Sequence, residues 1–379
     1  MEAILSRKAQ KPVIDIDLMA SFIAGLQKES GEIPWSEGGK TDPWDHVESA
    51  MGLAAAGCLE EAERAYRWLE ATQLDDGSWW ASWRGGVPED MTKDSNMSSY
   101  IAVGLYQYHL ITDDDDLPRR LWPTLQGGID FALSLQAPTG QIYWAKNKEG
   151  VTDPMALLTG CSSIYMSLKC AIALAEMLGK QEPRWKTALV TLGDAIRTRP
   201  NLFNMMKSRF SMDWYYPVLC GALTGRDAHR RIDRYWHKFV VPEWGVRCVS
   251  DRPWATMAET AECALALAAI GNFEQARTVL RWIENKKYDD GSYWMGVTFP
   301  DAVIWPEERT SWTSAAIILA WDALKELTPA ARLFSHRFWE TRTGDARRRR
   351  RSGTEKTMKK RIVSDRTDLT GKEAGSCGL

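Results

Sequence analysis

Residues 64–79 read Arg-Ala-Tyr-Arg-Trp-Leu-Glu-Ala-Thr-Gln-Leu-Asp-Asp-Gly-Ser-Trp. The first part carries the period of an amphipathic helix, and the rest is a polar turn. Gly77 supplies the positive φ that a tight reversal after a helix needs. The Gln73 amide is placed to bond carbonyls left unpaired at the helix end and to lie against Trp79. One short stretch therefore stops a helix and pins it.

The same spacing recurs. Phe22, Gln27, Gly31 and Ile33 keep the offsets of Trp68, Gln73, Gly77 and Trp79, as do Phe131, Gln136, Gly140 and Ile142, with a looser copy in Trp282, Lys287, Gly291 and Tyr293. Copies at one internal spacing are the mark of a repeat architecture. The stretch from Arg64 to Trp79 resembles the QW repeat of the squalene–hopene cyclase and protein prenyltransferase families. That resemblance implies an α/α toroid and a terpenoid cyclase or prenyltransferase-like enzyme acting on an isoprenoid-type substrate.

Periodicity divides residues 13–328 into twelve helical segments that fall into pairs. The first of each pair is amphipathic and charged, at about 13–28, 59–74, 117–136, 183–198, 226–240 and 272–287. The second is rich in small and apolar residues, at about 43–57, 95–111, 155–179, 212–224, 255–271 and 310–327. A helix with one solvated face needs polar residues there, whereas a helix ringed by neighbours reads apolar nearly all round. The expected fold is all-α, an (α/α)6 toroid of six helical hairpins within residues 1–335, with charged helices outside and apolar ones inside.

Residues 336–379 hold 13 Lys and Arg against 6 Asp and Glu, which leaves 35 against 44 for residues 1–335. The acidic body shows no footprint of nucleic-acid binding. The tail has almost nothing apolar to bury and is expected to be disordered, free to contact an acidic surface. The seven Cys form no Cys-x-x-Cys pair and no zinc spacing with the five His, so neither a metal nor another cofactor is expected. The absence of a signal-peptide core and of a long apolar run points to a cytoplasmic protein with no transmembrane segment.

Links from inner back to outer helices are short, as at Gly57, Gly225 and Gly271, while links from outer to inner are long and rich in Gly, Pro and Trp. All inner helices then start at one mouth, where the long loops gather. The residues opening them combine acids with aromatics. Asp213 and Glu259 are the catalytic candidates; Trp44, Asp45, Trp214, Tyr215, Arg252, Trp254, Glu262, Glu308, Arg309 and Trp312 are the substrate-binding ones. Asp42, Asp94 and Glu307 read as helix caps.

Two chemistries use such residues. A terpenoid cyclase needs an acid to protonate an alkene and aromatic faces to stabilise a cation. A glycan hydrolase or lyase on a six-hairpin barrel needs two carboxylates across a glycosidic bond and aromatic platforms for sugar rings. Arg252 and Arg309 would suit a diphosphate or a uronate. A third reading makes the toroid a non-catalytic binding module. Asp113-Asp114-Asp115-Asp116 matches the cyclase acid motif literally, yet it sits before an outer helix on the short-link face and reads as capping. Leu110 to Asp114 followed by Leu121-Trp122-Pro123 resembles the helix junction of six-hairpin glycoside hydrolases. The partner is a small-molecule or oligosaccharide substrate.

Overall fold

The computed structural model describes residues 14–342. Six helical hairpins follow one another: α1 (Ile16–Leu26) with α2 (Pro43–Ala55); α3 (Leu59–Thr72) with α4 (Ser95–Ser99) and its continuation α5 (Ile101–Thr112); α6 (Asp116–Arg120) and α7 (Trp122–Ser134) with α8 (Leu158–Met177); α9 (Pro183–Thr198) with α10 (Ser211–Leu219); α11 (Gly225–Phe239) with α12 (Met257–Ala269); and α13 (Phe273–Arg281) with α14 (Ser311–Lys325). The second helices pack in the order α2, α5, α8, α10, α12, α14 and back to α2, so the inner ring closes. Every residue of α12 is buried, whereas α11 buries only Ala228, Ile232 and Phe239. Burial thus separates inner from outer helices along the lines of their composition. The helix α8 has the length and mean hydropathy (1.3) of a membrane span, but 67% of that window is buried inside the protein. It is a core helix.

The repeated turn is a staple between neighbouring hairpins. Gln73 Nε2 donates to the Gly77 carbonyl at 2.9 Å and to the Thr124 carbonyl of α7 at 2.8 Å. Gln27 does the same with Gly31 and Glu61, at 3.1 and 2.9 Å, and Gln136 with Gly140 and Ala188, at 3.0 and 3.2 Å. The amide thus reaches the next outer helix as well as its own turn. Gly77 holds φ at +84°, and a Cβ there would overlap the Gly127 carbonyl oxygen. Trp79 is buried, and its indole donates to Leu69 O at 2.9 Å.

All six long loops meet their neighbours on one face. Thr41 pairs with Trp83, Asp94 with Ala145, and Thr256 with Gly296 in small antiparallel sheets. Asn204 N donates to Ala156 O at 2.9 Å, Ser211 N to Cys248 O at 2.9 Å and Ser311 N to Trp35 O at 2.8 Å. These contacts join each loop to the next around the full circle, so all six inner helices open at one mouth. The all-α expectation is corrected here. Among the described residues, two three-stranded sheets and one four-stranded sheet line the mouth, because loops brought side by side pair the backbone groups that their helices leave free.

The chain divides into two units at Ser335. In the second, residues 336–342 are helical, which corrects the expectation of disorder for that stretch. The rest of the basic tail, 343–379, lies outside the described residues.

Candidate active site

Lys40–Thr41 runs into α2 as a strand, and Asp42 caps the helix by accepting Asp45 N–H at 2.9 Å, with Pro43 at the first helical position. That geometry sets Asp45, half-buried, in the first turn at the mouth. Glu48 falls one turn deeper and is buried. The helix α12 repeats this layout, with Glu259 in its first turn and Glu262 one turn in. Residues three apart share a helix face. Two inner helices therefore each carry a shallow acid and a deep acid, with α14 between them in the ring.

The deep acids are fully engaged. Trp312 donates its indole N–H to Glu48 Oε2 at 3.1 Å. Tyr215 and Tyr216 of α10 donate their hydroxyls to the two oxygens of Glu262, Tyr216 at 2.7 Å. Trp44 packs edge-on to Tyr216 with centroids 5.5 Å apart, and tilts against Tyr100 at 5.8 Å. Burial pushes the Glu48 carboxyl up to about 8, the bond from Trp312 opposes this, and the charge of Asp42 adds to it. Glu262 is driven well above the usual carboxylate range, first by burial and then by Glu48. The two deep acids sense each other, and Glu48, at about 8, holds its proton near neutrality.

The shallow pair differs. Asp45 is raised well above its ordinary value by burial, then by the charge of Asp42 and a side-chain hydrogen bond with it, while Lys40 opposes the shift. Two carboxyls sharing a hydrogen bond cannot readily both ionise. Glu259 is buried and takes a hydrogen bond from the Cys248 thiol.

The structure places the remaining sequence candidates elsewhere. Asp213 is buried in the ring wall, where its Oδ1 accepts from Thr159 Oγ1 at 2.6 Å and Thr159 N at 3.2 Å. It ties the first turn of α8 to α10, a capping task, and burial raises its carboxyl. Trp214 turns outward, stacked on Phe239 of α11 at 5.2 Å, with its indole N–H on Arg231 O at 3.1 Å. It packs an inner helix on an outer one and does not line the mouth. Arg309 pairs with Asp290 at 2.5 Å and lies over the Tyr288 ring, while Arg252 is exposed. Glu308 is exposed on the rim and accepts from the Trp35 indole at 3.2 Å. Trp254 also belongs to the rim, T-packed on Trp305 with centroids 5.1 Å apart.

Glu48, Tyr100 and Tyr216 were not among the sequence candidates. Glu48 was within reach of sequence reasoning, since Asp45/Glu48 repeats the three-residue spacing of Glu259/Glu262. The two tyrosines needed the ring. Among the described residues no group of three His, Cys, Asp or Glu is placed to hold a metal ion. His46 is locked, with Nδ1 accepting Ile33 N–H at 3.1 Å and Nε2 on Ala65 O at 2.9 Å. Burial pushes it down to about 4. A separate cleft of about 460 Å³ lies around the Gln73 staple, lined by Gln73, Pro123, Phe131 and Lys146 among others. None of these acids lines it.

Several solved structures share this fold. A D-mannose isomerase superposes with a TM-score of 0.64 at 12% identity, over 82% of this chain and 96% of that one. A wild-type glycosidase gives 0.62 at 14%, over 83% and 96%, and cellobiose 2-epimerase from Spirochaeta thermophila 0.58 at 15%, over 82% and 94%. These likenesses show that the chain has an α/α-toroid fold. No family profile matches the chain. The MMP endo-(1,4)-3-O-methyl-alpha-D-mannosidase of Mycolicibacterium hassiacum is 49% identical over 315 residues, 83% of this chain and 87% of that protein. The chain belongs to the family of that mannosidase and is a glycan-acting, glycoside hydrolase-like enzyme. This overturns the terpenoid cyclase and prenyltransferase reading. The QW-like spacing marks a way of tying helical hairpins together, and hairpin stapling carries no information about the substrate.

Proposed function

We propose that the protein hydrolyses internal bonds of a 3-O-methylated, α-(1,4)-linked mannose polysaccharide, with Asp45 as general acid and Glu259 as the partner carboxylate. The observation that carries this reading is the matched pair of acid ladders, Asp45 over Glu48 and Glu259 over Glu262, on helices α2 and α12. Cleavage of a glycosidic bond needs one carboxyl that still holds a proton to give to the leaving oxygen. A second must activate water or attack the sugar. Burial, then the charge of Asp42 and a hydrogen bond with it, raise Asp45 and suit it to the first need. Glu259 occupies the same first-turn level two helices round the ring. The deep acids, held by Trp312, Tyr215 and Tyr216, form the floor below this pair. The activity for which the relative is named supplies the sugar and the linkage.

The test is incubation of the purified chain with 3-O-methylmannose oligosaccharides, following shorter products by mass spectrometry. Asp45→Asn and Glu259→Gln are each expected to lower kcat by about 10²-fold or more at unchanged melting temperature. Full activity in either variant would remove that residue from the mechanism, and no cleavage by the wild-type chain would overturn the reading.

A further inference from the structure

Trp305 exposes 56% of its surface and its neighbour Val303 52%. A bare indole on a loop would usually be mobile, but this one is tied down. Trp305 N donates to Gly296 O at 3.0 Å, and Trp305 O accepts the Trp254 indole N–H at 2.6 Å. The Trp254 ring stands against it at 73°. Trp254 lies in an inner strand of the four-stranded sheet, where Trp254–Thr256 pairs with Gly296–Thr298, and Trp305 follows Ile304, which bridges to Val297 of the outer strand. On the same sheet Trp244 and Phe299 pack at 5.9 Å, with the Arg247 guanidinium over Phe299. Beyond Trp305 the chain runs into α14, where Trp35 and Trp312 pack at 5.7 Å and Trp312 holds Glu48. Three aromatic pairs thus follow one side of the mouth, next to α12 and α14. The central pair is the one with an open face.

We infer that Trp305, backed by Trp254, is a distal glycan subsite, a shelf for the apolar face of a pyranose ring remote from the bond being cut. The inference rests on the hydrolase reading above and adds to it a place for the chain beyond the acids. Trp254 precedes α12 by three extended residues, and Glu259 lies two residues into that helix. At roughly 3.3 Å and 1.5 Å per residue the backbone path is at most about 13 Å, which keeps the shelf within a few sugar rings of Glu259. A rigid indole gives stacking area at little entropic cost, which is what a carbohydrate shelf requires. An enzyme with such a shelf holds long chains better than short ones, as internal cleavage demands.

The experiment compares long and short α-(1,4)-linked 3-O-methylmannose oligosaccharides on the full chain and on Trp305→Ala. The expected result is a KM raised about tenfold for the long substrate, with kcat unchanged and the short substrate unaffected. Trp305→Tyr should restore most of the affinity. Equal effects on both lengths, or none on the long one, would overturn the shelf while leaving the hydrolase reading intact. Calorimetric binding of the long oligosaccharide to Asp45→Asn, with and without Trp305→Ala, gives the same comparison without turnover. An unchanged affinity there, or no binding at all, also counts against the shelf, and only a wild-type chain that cleaves neither length counts against the hydrolase.

Discussion

Trp312 and Glu48 stand 264 residues apart in the chain, and the indole of one donates to the carboxyl of the other at 3.1 Å. The bond crosses from the last hairpin to the first and so closes the ring at the level of the site. The Glu48 carboxyl, pushed up to about 8 by burial, is uncharged at neutral pH. An amide of the same shape should therefore replace it without loss. Glu48→Gln is expected to raise the unfolding free energy at pH 7, because it removes the ionisation open to the unfolded glutamate, and Glu48→Leu, which strands the indole N–H, to fall about 1–3 kcal/mol below the Gln variant. Urea denaturation at pH 7 checks both, and a large loss in the Gln variant would mean that the native carboxyl is ionised.

Stability should fall from mildly acid to mildly alkaline solution. Glu48, lifted from 4.5 to about 8, contributes stability that is complete below pH 4.5 and lost as pH rises through about 8. Asp45 and Glu262, raised in the same direction, act alike. His46, lowered from 6.5 to about 4, contributes stability that is present above pH 6.5 and lost as pH falls through about 4. A tenfold change in proton affinity on folding is worth about 1.4 kcal/mol, so each limb amounts to a few kcal/mol. Scanning calorimetry from acid to alkaline pH should find the melting temperature falling as pH rises from about 5 to 8, because three raised carboxyls outweigh the one lowered imidazole there. A level profile up to pH 9 would contradict the raised carboxyls.

Asp213 and Asp45 should part company on mutation. Asp213→Ala removes the acceptor for Thr159 N–H and Oγ1–H and is expected to cost about 1–2 kcal/mol while leaving kcat near wild type. Asp45→Asn should do the reverse. Paired thermal melts and turnover measurements settle it, and a dead but stable Asp213→Ala protein would restore that residue to the mechanism.

The Gln73 staple should matter for folding alone. Gln73→Ala strips a shared donor from the Gly77 and Thr124 carbonyls and is expected to destabilise by about 1–3 kcal/mol. Gly77→Ala should cost more, since the new Cβ meets the Gly127 carbonyl at a positive φ. Turnover per folded molecule, measured beside urea midpoints, should be unchanged in both variants.

What the sequence determined by itself was the hairpin scaffold: the alternation of charged and apolar helices, the Gln-to-Gly staple and the single mouth all follow from local periodicity and turn chemistry, which act within a few residues. It also put Asp45, Glu259 and Glu262 among the residues that open inner helices. It did not separate Asp213 from Asp45, because both stand in the first turn of an inner helix and differ only in what neighbouring helices bring to them. Thr159 reaches Asp213 from α8, whereas Asp42, Glu48 and Lys40 surround Asp45. Nor did it place Trp214 on the outer side or Arg309 on Asp290. Those outcomes depend on the rotation of each helix about its axis, which is set by side-chain packing between segments far apart in the chain.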